Sequence, residues 1–244
     1  MKVLVLGDSR ATSFGCEQGE PAFPALMQEL SGGELEVRNL ARVGLPLDKF
    51  MPELPDALAW EPDLVISVFG GRECLYRLKF LKRVRCDPHR PLTGWGWRLP
   101  LAWGRRLIWG RFTRLMMRRE RLGERILEAL GARTYQTPAQ YQETLQQMVT
   151  AVNATGAQTW LIEHFDLVIS KYVWSLTVQR ANSTVARIVA ARSAGQVTTV
   201  DPKPYLDFPR LVLPDGAHFS PEGHLAMAEL MVRLITEARG RAAA

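Results

Sequence analysis

Five short strand-like runs recur along the chain, and segments with helical spacing fall between them. The runs are residues 2–6, Leu35 to Leu40, Leu64 to Phe69, Thr159 to Ile162 and Val197 to Val200. They are rich in Val, Ile and Leu and show little alternation. That pattern predicts parallel strands covered on both faces. The segments between them carry helical spacing. Helices are expected over Pro21 to Leu30, Asp48 to Trp60 and residues 138–155 and 174–194, with a last one starting at Ser220-Pro221-Glu222. Over 138–155, Thr137 is a plausible N-cap and Pro138 suits the first helical position. Tyr141, Leu145, Met148, Val149 and Val152 make its apolar stripe, and Gly156 ends it. Alternating β and α elements predict an α/β fold, a three-layer α/β/α sandwich with right-handed crossovers.

One stretch breaks this rhythm. About sixty residues, 74–136, separate the third strand from the next helix, far more than an ordinary connection needs. We read the chain as one domain over 1–244 with an Arg/Trp-rich helical insertion, or cap, over 74–136. The insertion holds Trp95, Trp97, Trp103 and Trp109 of the seven tryptophans. Over Phe112 to Leu130, residues Phe112, Leu115, Met116, Leu122, Ile126 and Leu127 share one side. Arg111, Arg114, Arg118, Arg121 and Arg125 share another.

Charge sharpens that picture. The net charge is +6, but residues 77–125 alone carry a local excess of +12, which leaves the rest at −6. Arginines beside aromatic rings suit an anionic membrane surface or a phosphate-bearing acyl donor. The plainer reading is a lid helix with a solvated basic face, its arginines partly paired with Glu120, Glu124 and Glu128. Nucleic-acid binding ranks third, because no recognised binding motif accompanies the charge.

With 244 residues, 47% of them hydrophobic, the chain can bury a sizeable core. No stretch approaches the ~18 apolar residues that cross a bilayer. The chain opens on a core strand and not on a signal-like segment, so the expected location is cytoplasmic, with peripheral membrane contact allowed. Cys16, Cys74 and Cys86 have no metal-like spacing and read as reduced thiols. With only four histidines and no ligand-type motif, neither a metal nor another cofactor is expected.

The chemistry sits where the runs end. Gly7-Asp8-Ser9 closes the first run, placing a hydroxyl at the carboxyl edge of the sheet, where open α/β folds hold ligands. Taken alone, Ser9 could equally cap a following helix. Asp215-Gly216-Ala217-His218 precedes the last helix and supplies an imidazole and a carboxylate three residues apart. Together the three groups can run acyl transfer: the imidazole takes the serine proton and the carboxylate fixes its tautomer. Asp201 and Asp207 are alternative acids with poorer spacing. His164 follows the fourth strand and reads as a strand-end histidine or a substrate contact. His224 reads as structural, and His89 has no evident partner.

Four blocks now stand in order, three at strand ends and one before the last helix. Gly7-Asp8-Ser9, Gly44, Gly70-Gly71-Arg72-Glu73 and Asp215-Gly216-Ala217-His218 resemble the four blocks of the SGNH (GDSL) hydrolase superfamily. Phe219-Ser220-Pro221-Glu222-Gly223-His224 also looks like the family's stretch after its histidine. The resemblance implies a flavodoxin-like sheet of five parallel strands and hydrolysis or transfer of acyl groups through an acyl-serine. It implies Ser9 as nucleophile, His218 as general base and then acid, and Asp215 as its partner. The N–H groups of Ser9 and Gly44 would belong to an oxyanion hole. The third block departs from the family's Gly-x-Asn-Asp, whose asparagine is an oxyanion donor; here Arg72 and Glu73 stand instead. Arg72 could serve the oxyanion, grip a substrate carboxylate or phosphate, or pair with Glu73 or Asp8. Asp8, Arg10, Arg72, Glu73 and His164 are the candidate substrate-binding residues. The expected function is a serine ester hydrolase acting on O-acylated carbohydrate or lipid-like substrates, including small-molecule or glycolipid-like esters. Alternatives are an acyltransferase using the same groups, and a non-catalytic module docking to anionic surfaces through the basic insertion.

Overall fold

The computed structural model describes residues 1–77, 124–125, 128–129, 131–164, 175–193, 195–213 and 215–243. The four tryptophans of the insertion, most of its arginines, Cys86 and His89 lie outside the described residues.

The strands are β1 (Lys2–Gly7), β2 (Glu36–Asn39), β3 (Leu64–Val68), β4 (Tyr76–Arg77), β5 (Arg133–Thr134), β6 (Gln158–Ile162) and β7 (Val197–Val200). The helices are α1 (Phe23–Leu30), α2 (Leu47–Phe50), α3 (Leu54–Leu58), α4 (Pro138–Asn153), α5 (Leu176–Arg192), α6 (Phe208–Leu211) and α7 (Pro221–Ala243). Five strands form one parallel sheet in the order β2-β1-β3-β6-β7. This is the doubly wound arrangement expected from the sequence. Its crossover direction reverses between β1 and β3, so their carboxyl ends flank a crevice.

Side chains that alternate along each strand divide the core in two. Val3 and Val5 of β1, Leu64, Ile66 and Val68 of β3, and Trp160 and Ile162 of β6 pack with Phe23, Met27, Met227 and Met231 of α1 and α7. Leu4 and Leu6, Val65 and Leu161 face the other way, onto Leu54, Tyr141, Leu145, Met148, Val185 and Val189 of α3, α4 and α5. Both faces are therefore dry over β1 and β3, which explains their apolar runs, whereas the edge strand β2 is largely exposed. Each fully buried aliphatic or aromatic side chain contributes about 1.5–3 kcal/mol.

Three local outcomes differ from the sequence expectations. The single helix expected over Asp48 to Trp60 is three pieces: α2, a 3-10 turn over Met51–Glu53, and α3. Pro52 and Pro55 stand where the pieces meet, and neither can donate an intrahelical hydrogen bond. A two-residue antiparallel ladder, β4 with β5, pairs Tyr76 with Thr134 and Arg77 with Arg133 and closes the neck of the insertion. The short helix α6 also went unanticipated. By contrast, α4 forms as expected: the Thr137 hydroxyl accepts from the Gln140 N–H, the Gln140 side chain accepts from the Thr137 N–H, and all five stripe residues are buried.

Candidate functional site

The crevice at the end of β1 is built from backbone economy. After Gly7 the chain makes a 3-10 turn over Ser9–Ala11, with the Ala11 N–H donating to the Asp8 carbonyl at 3.2 Å. The cap of this turn is Asp8, whose carboxylate accepts from the Arg10 N–H at 3.0 Å. The capping role weighed for Ser9 thus falls to its neighbour, and the Ser9 hydroxyl is left for other work. The Ser9 side chain is partly exposed between two buried neighbours, Asp8 and Arg10.

His218 arrives from the far end of the chain. Its loop is held by an antiparallel bridge between Val212 and Phe219, with the Leu213 N–H donating to the His218 carbonyl at 2.8 Å. Gly223, in the first turn of α7, packs so tightly against the Leu211 carbonyl that no Cβ would fit. This locks α6, the histidine loop and α7 as one unit.

The unit brings three expected groups together. Ser9 Oγ lies 2.8 Å from His218 Nε2, and His218 Nδ1 lies 2.7 Å from Asp215 Oδ2. The Asp215 Oδ1 accepts from the N–H groups of Ala217, at 2.9 Å, and His218, at 3.2 Å. Burial alone would raise the Asp215 pKa, but the imidazole and these two N–H groups outweigh it and hold the carboxyl below its usual value. An ionised Asp215 fixes the proton on Nδ1, leaving Nε2 to accept from the serine hydroxyl. Such a chain can draw a proton off Ser9 and return it to a leaving group. Asp201 and Asp207 are engaged elsewhere: the first accepts from the Lys203 N–H at 3.0 Å and the second pairs with Arg210 at 3.4 Å.

The other candidates form a buried network behind Ser9. Arg10 pairs with Asp8 through two contacts, Nε to Oδ1 at 3.1 Å and Nη2 to Oδ2 at 3.2 Å. It also donates from Nη2 to the Val68 carbonyl at 3.0 Å and from Nη1 to His164 Nδ1. Burial and the nearby guanidinium push the His164 pKa well below its ordinary value, so it accepts as neutral imidazole. Its other hydrogen bond is to the Phe69 backbone. Asp8, Arg10, Glu73 and His164 are all at most 8% exposed. They lie buried behind Ser9, beneath the crevice.

Glycines make room for this network. A Cβ on Gly71 would stand 2.7 Å from Arg10 Nη2 and 2.8 Å from Asp8 Oδ2. Gly70 takes a φ of +113°, and a Cβ there would collide with the His164 ring. The Gly70 carbonyl accepts from Asn182 Nδ2 of α5 at 3.2 Å, and the Phe69 carbonyl accepts from the Tyr141 hydroxyl of α4 at 3.2 Å.

Arg72 behaves differently from its neighbours. Its N–H donates to Asp8 Oδ2 at 3.2 Å, but its guanidinium pairs with no carboxylate among the described residues. The expected alternatives are closed: Asp8 is taken by Arg10, and Glu73 by backbone N–H groups of Leu47 and Gly70. The Arg72 Nε is buried and has no hydrogen-bond partner among the described residues.

One feature escaped the sequence reading. The Phe14 ring lies 4.7 Å from the His218 ring, tilted by 54°, and forms an apolar wall beside the imidazole. Its signal was a lone aromatic in the polar loop after Ser9. His224 is buried, accepts from the Phe23 N–H at 3.2 Å and sits between Phe23 and Phe219. Burial, and the nearby His218, bring its pKa down to about 4, in keeping with the structural role expected for it.

No helix among the described residues is long and apolar enough to cross a membrane. No family model matches the chain, and no curated protein matches it. Solved structures do. The lipase/acylhydrolase from Enterococcus faecalis shares 20% identity, with 98% of this chain and 97% of that one covered and a TM-score of 0.61. An acetyl xylan esterase, AlAXEase, shares 14%, covering 96% of this chain and all of its own, at 0.60. The psychrotrophic esterase EstA from Pseudoalteromonas sp., solved as inhibited by monoethylphosphonate, shares 13% at 98% coverage of both chains and 0.58. A lipolytic protein of the G-D-S-L family from Desulfitobacterium hafniense is a further neighbour, at 16% and 0.55. The α/β/α sandwich of this chain is thus the fold of the GDSL lipases, esterases and acylhydrolases.

Proposed function

We propose that the protein is a serine hydrolase of the SGNH (GDSL) type that cleaves carboxylic esters through an acyl-Ser9 intermediate. The observation that carries this reading is the chain from Ser9 Oγ to His218 Nε2 at 2.8 Å and from His218 Nδ1 to Asp215 Oδ2 at 2.7 Å. Ser9 Oγ attacks the ester carbonyl while its proton passes to His218 Nε2. The C–O bond to the alcohol then breaks, and His218 returns that proton to the departing alkoxide. Water, deprotonated by the same imidazole, attacks acyl-Ser9; the bond from the acyl carbon to Oγ breaks, His218 returns the proton to Ser9 Oγ and the acid leaves. The N–H groups of Ser9 and Gly44 hold the tetrahedral oxyanion, and Arg72, with its unpartnered Nε, takes the place of the family's asparagine. Each such donor is worth about 3 kcal/mol of transition-state stabilisation. O-acylated carbohydrate and lipid-like esters are the proposed substrates, in line with an acetyl xylan esterase and a lipase/acylhydrolase among the structural neighbours.

The test is to incubate wild type and Ser9→Ala with a fluorophosphonate probe and with short- and medium-chain p-nitrophenyl esters. Wild type should label and turn over ester; Ser9→Ala should do neither. Equal labelling of both proteins, with no ester consumed by wild type, overturns the reading.

A further inference from the structure

Glu73 stands where the family's third block ends; it is fully buried, and among the described residues its carboxylate forms no salt bridge. Its two oxygens face two different loops. Oε1 accepts from the Leu47 N–H at 2.7 Å, in the segment that follows Gly44 after β2. Oε2 accepts from the Gly70 N–H at 2.8 Å, in the turn that carries Arg72 after β3. These two segments leave the sheet on opposite sides of β1, because β2 and β3 flank that strand. Gly44, three residues before Leu47, and Arg72, two residues after Gly70, are the proposed oxyanion donors on either side of Ser9. One carboxylate therefore sets the spacing of both.

We propose that Glu73 is a positioning residue for the oxyanion pocket: ionised, it ties the Gly44–Leu47 segment to the Gly70–Arg72 turn, and protonated, it releases one of them. This rests on the hydrolase reading above. The chemistry is simple. Two N–H donors need two accepting oxygens, and a neutral carboxyl turns one oxygen into a donor that faces an N–H. The groups that face Glu73 support a proton held near neutrality. Burial pushes its pKa up to about 7, Asp8 adds to the rise, and the backbone donors and Arg10 oppose it. Cys74 and Tyr141 also stand against it; burial drives both upward, so neither ionises in the same range. His164, on the far side of Arg10, stays neutral.

The experiment compares wild type, Glu73→Gln and Glu73→Asp on a p-nitrophenyl ester from pH 5 to 9. Glu73→Gln, which keeps one accepting oxygen, should lower kcat about 100-fold with KM little changed, since a displacement of ~1 Å at a reacting centre costs that much. The acid limb of the wild-type kcat profile should need two deprotonations and that of Glu73→Gln one. Glu73→Asp, too short to span both loops, should keep the two-proton limb at reduced kcat. In parallel, the backbone amide shifts of Leu47 and Gly70 in Ser9→Ala protein should titrate together with one midpoint near 7, and this readout does not need activity. If Glu73→Gln matches wild type in kcat and in the slope of its acid limb, or if the two amides do not titrate together, the inference is overturned. If wild type neither labels with fluorophosphonate nor turns over ester while the amides still titrate together, the hydrolase reading fails and the tie between the loops stands.

Discussion

Replacing Arg10 by Met tests the buried network most directly. The substitution keeps much of the side-chain length and deletes the charge. It removes the contacts to Asp8 at 3.1 and 3.2 Å, the donation to the Val68 carbonyl at 3.0 Å and the contact with His164. Asp8, 3% exposed, would keep two acceptor contacts, from the N–H groups of Arg10 and Arg72. Stranding one member of a buried pair costs about 3–5 kcal/mol. The two surviving N–H donors place the expected loss at the lower end, about 3 kcal/mol. In a domain of this size each kcal/mol moves Tm by about 2–4 °C, so Arg10→Met should melt about 6–12 °C below wild type. Differential scanning calorimetry at pH 7 reads this directly. The double variant Asp8→Asn/Arg10→Met, which strands no charge, should recover about half of the loss. A single variant melting within about 2 °C of wild type, or a double variant as unstable as the sum of two singles, would refute the reasoning.

The remaining predictions concern Arg72 and pH. Arg72→Ala should reduce kcat on p-nitrophenyl esters about 10²–10³-fold, the cost of one oxyanion donor, and Arg72→Asn should restore part of it; steady-state kinetics showing Arg72→Ala equal to wild type would remove Arg72 from the oxyanion pocket. Glu73 and Asp215 shift in opposite directions, and so do their effects on stability. Between about 4.5 and about 7 the folded state holds a proton on Glu73 that the unfolded chain has lost, so this group makes wild type less stable as pH rises, by about 3 kcal/mol across the window. Asp215 acts the other way, supporting the fold above the ordinary carboxyl range and losing that support in acid. Urea titrations at pH 5 and pH 8 should therefore show Glu73→Gln gaining on wild type at the higher pH; a pH-independent difference between the two proteins would contradict the shift.

Strands β1 and β3 were legible because they are buried on two faces, which writes a nearly continuous apolar run that no amphipathic helix produces. The Ser9, Asp215 and His218 trio was legible because each residue ends or precedes an element and two of them are sequence neighbours. The network beneath them was not. Glu73 reads as a charged residue beside Arg72, and nothing local indicates that its partners are the N–H groups of Leu47 and Gly70. The same holds for Arg10, whose partners Asp8, Val68 and His164 lie on three different segments. Side-chain type announces a charge, whereas tertiary structure chooses what neutralises it. The break over 47–58 was in plain view, since Pro52 and Pro55 lack the donors a continuous helix needs. The two-residue ladder of β4 and β5 is too short to leave a pattern.

The contact between Ser9 and His218 spans 209 positions of sequence. A chain synthesised from its amino end presents the serine early, on a strand that must take an interior place in the sheet between β2 and β3. The imidazole that would activate it follows 209 residues later, and it is held in place only once α6, its loop and α7 dock as a unit. Until then the serine is an ordinary alcohol. Contacts this distant form late, because the loop entropy must be met before they contribute. The onset of phosphonate labelling during refolding would thus mark completion of the fold and not its beginning, because Ser9 stays chemically silent until His218 reaches it.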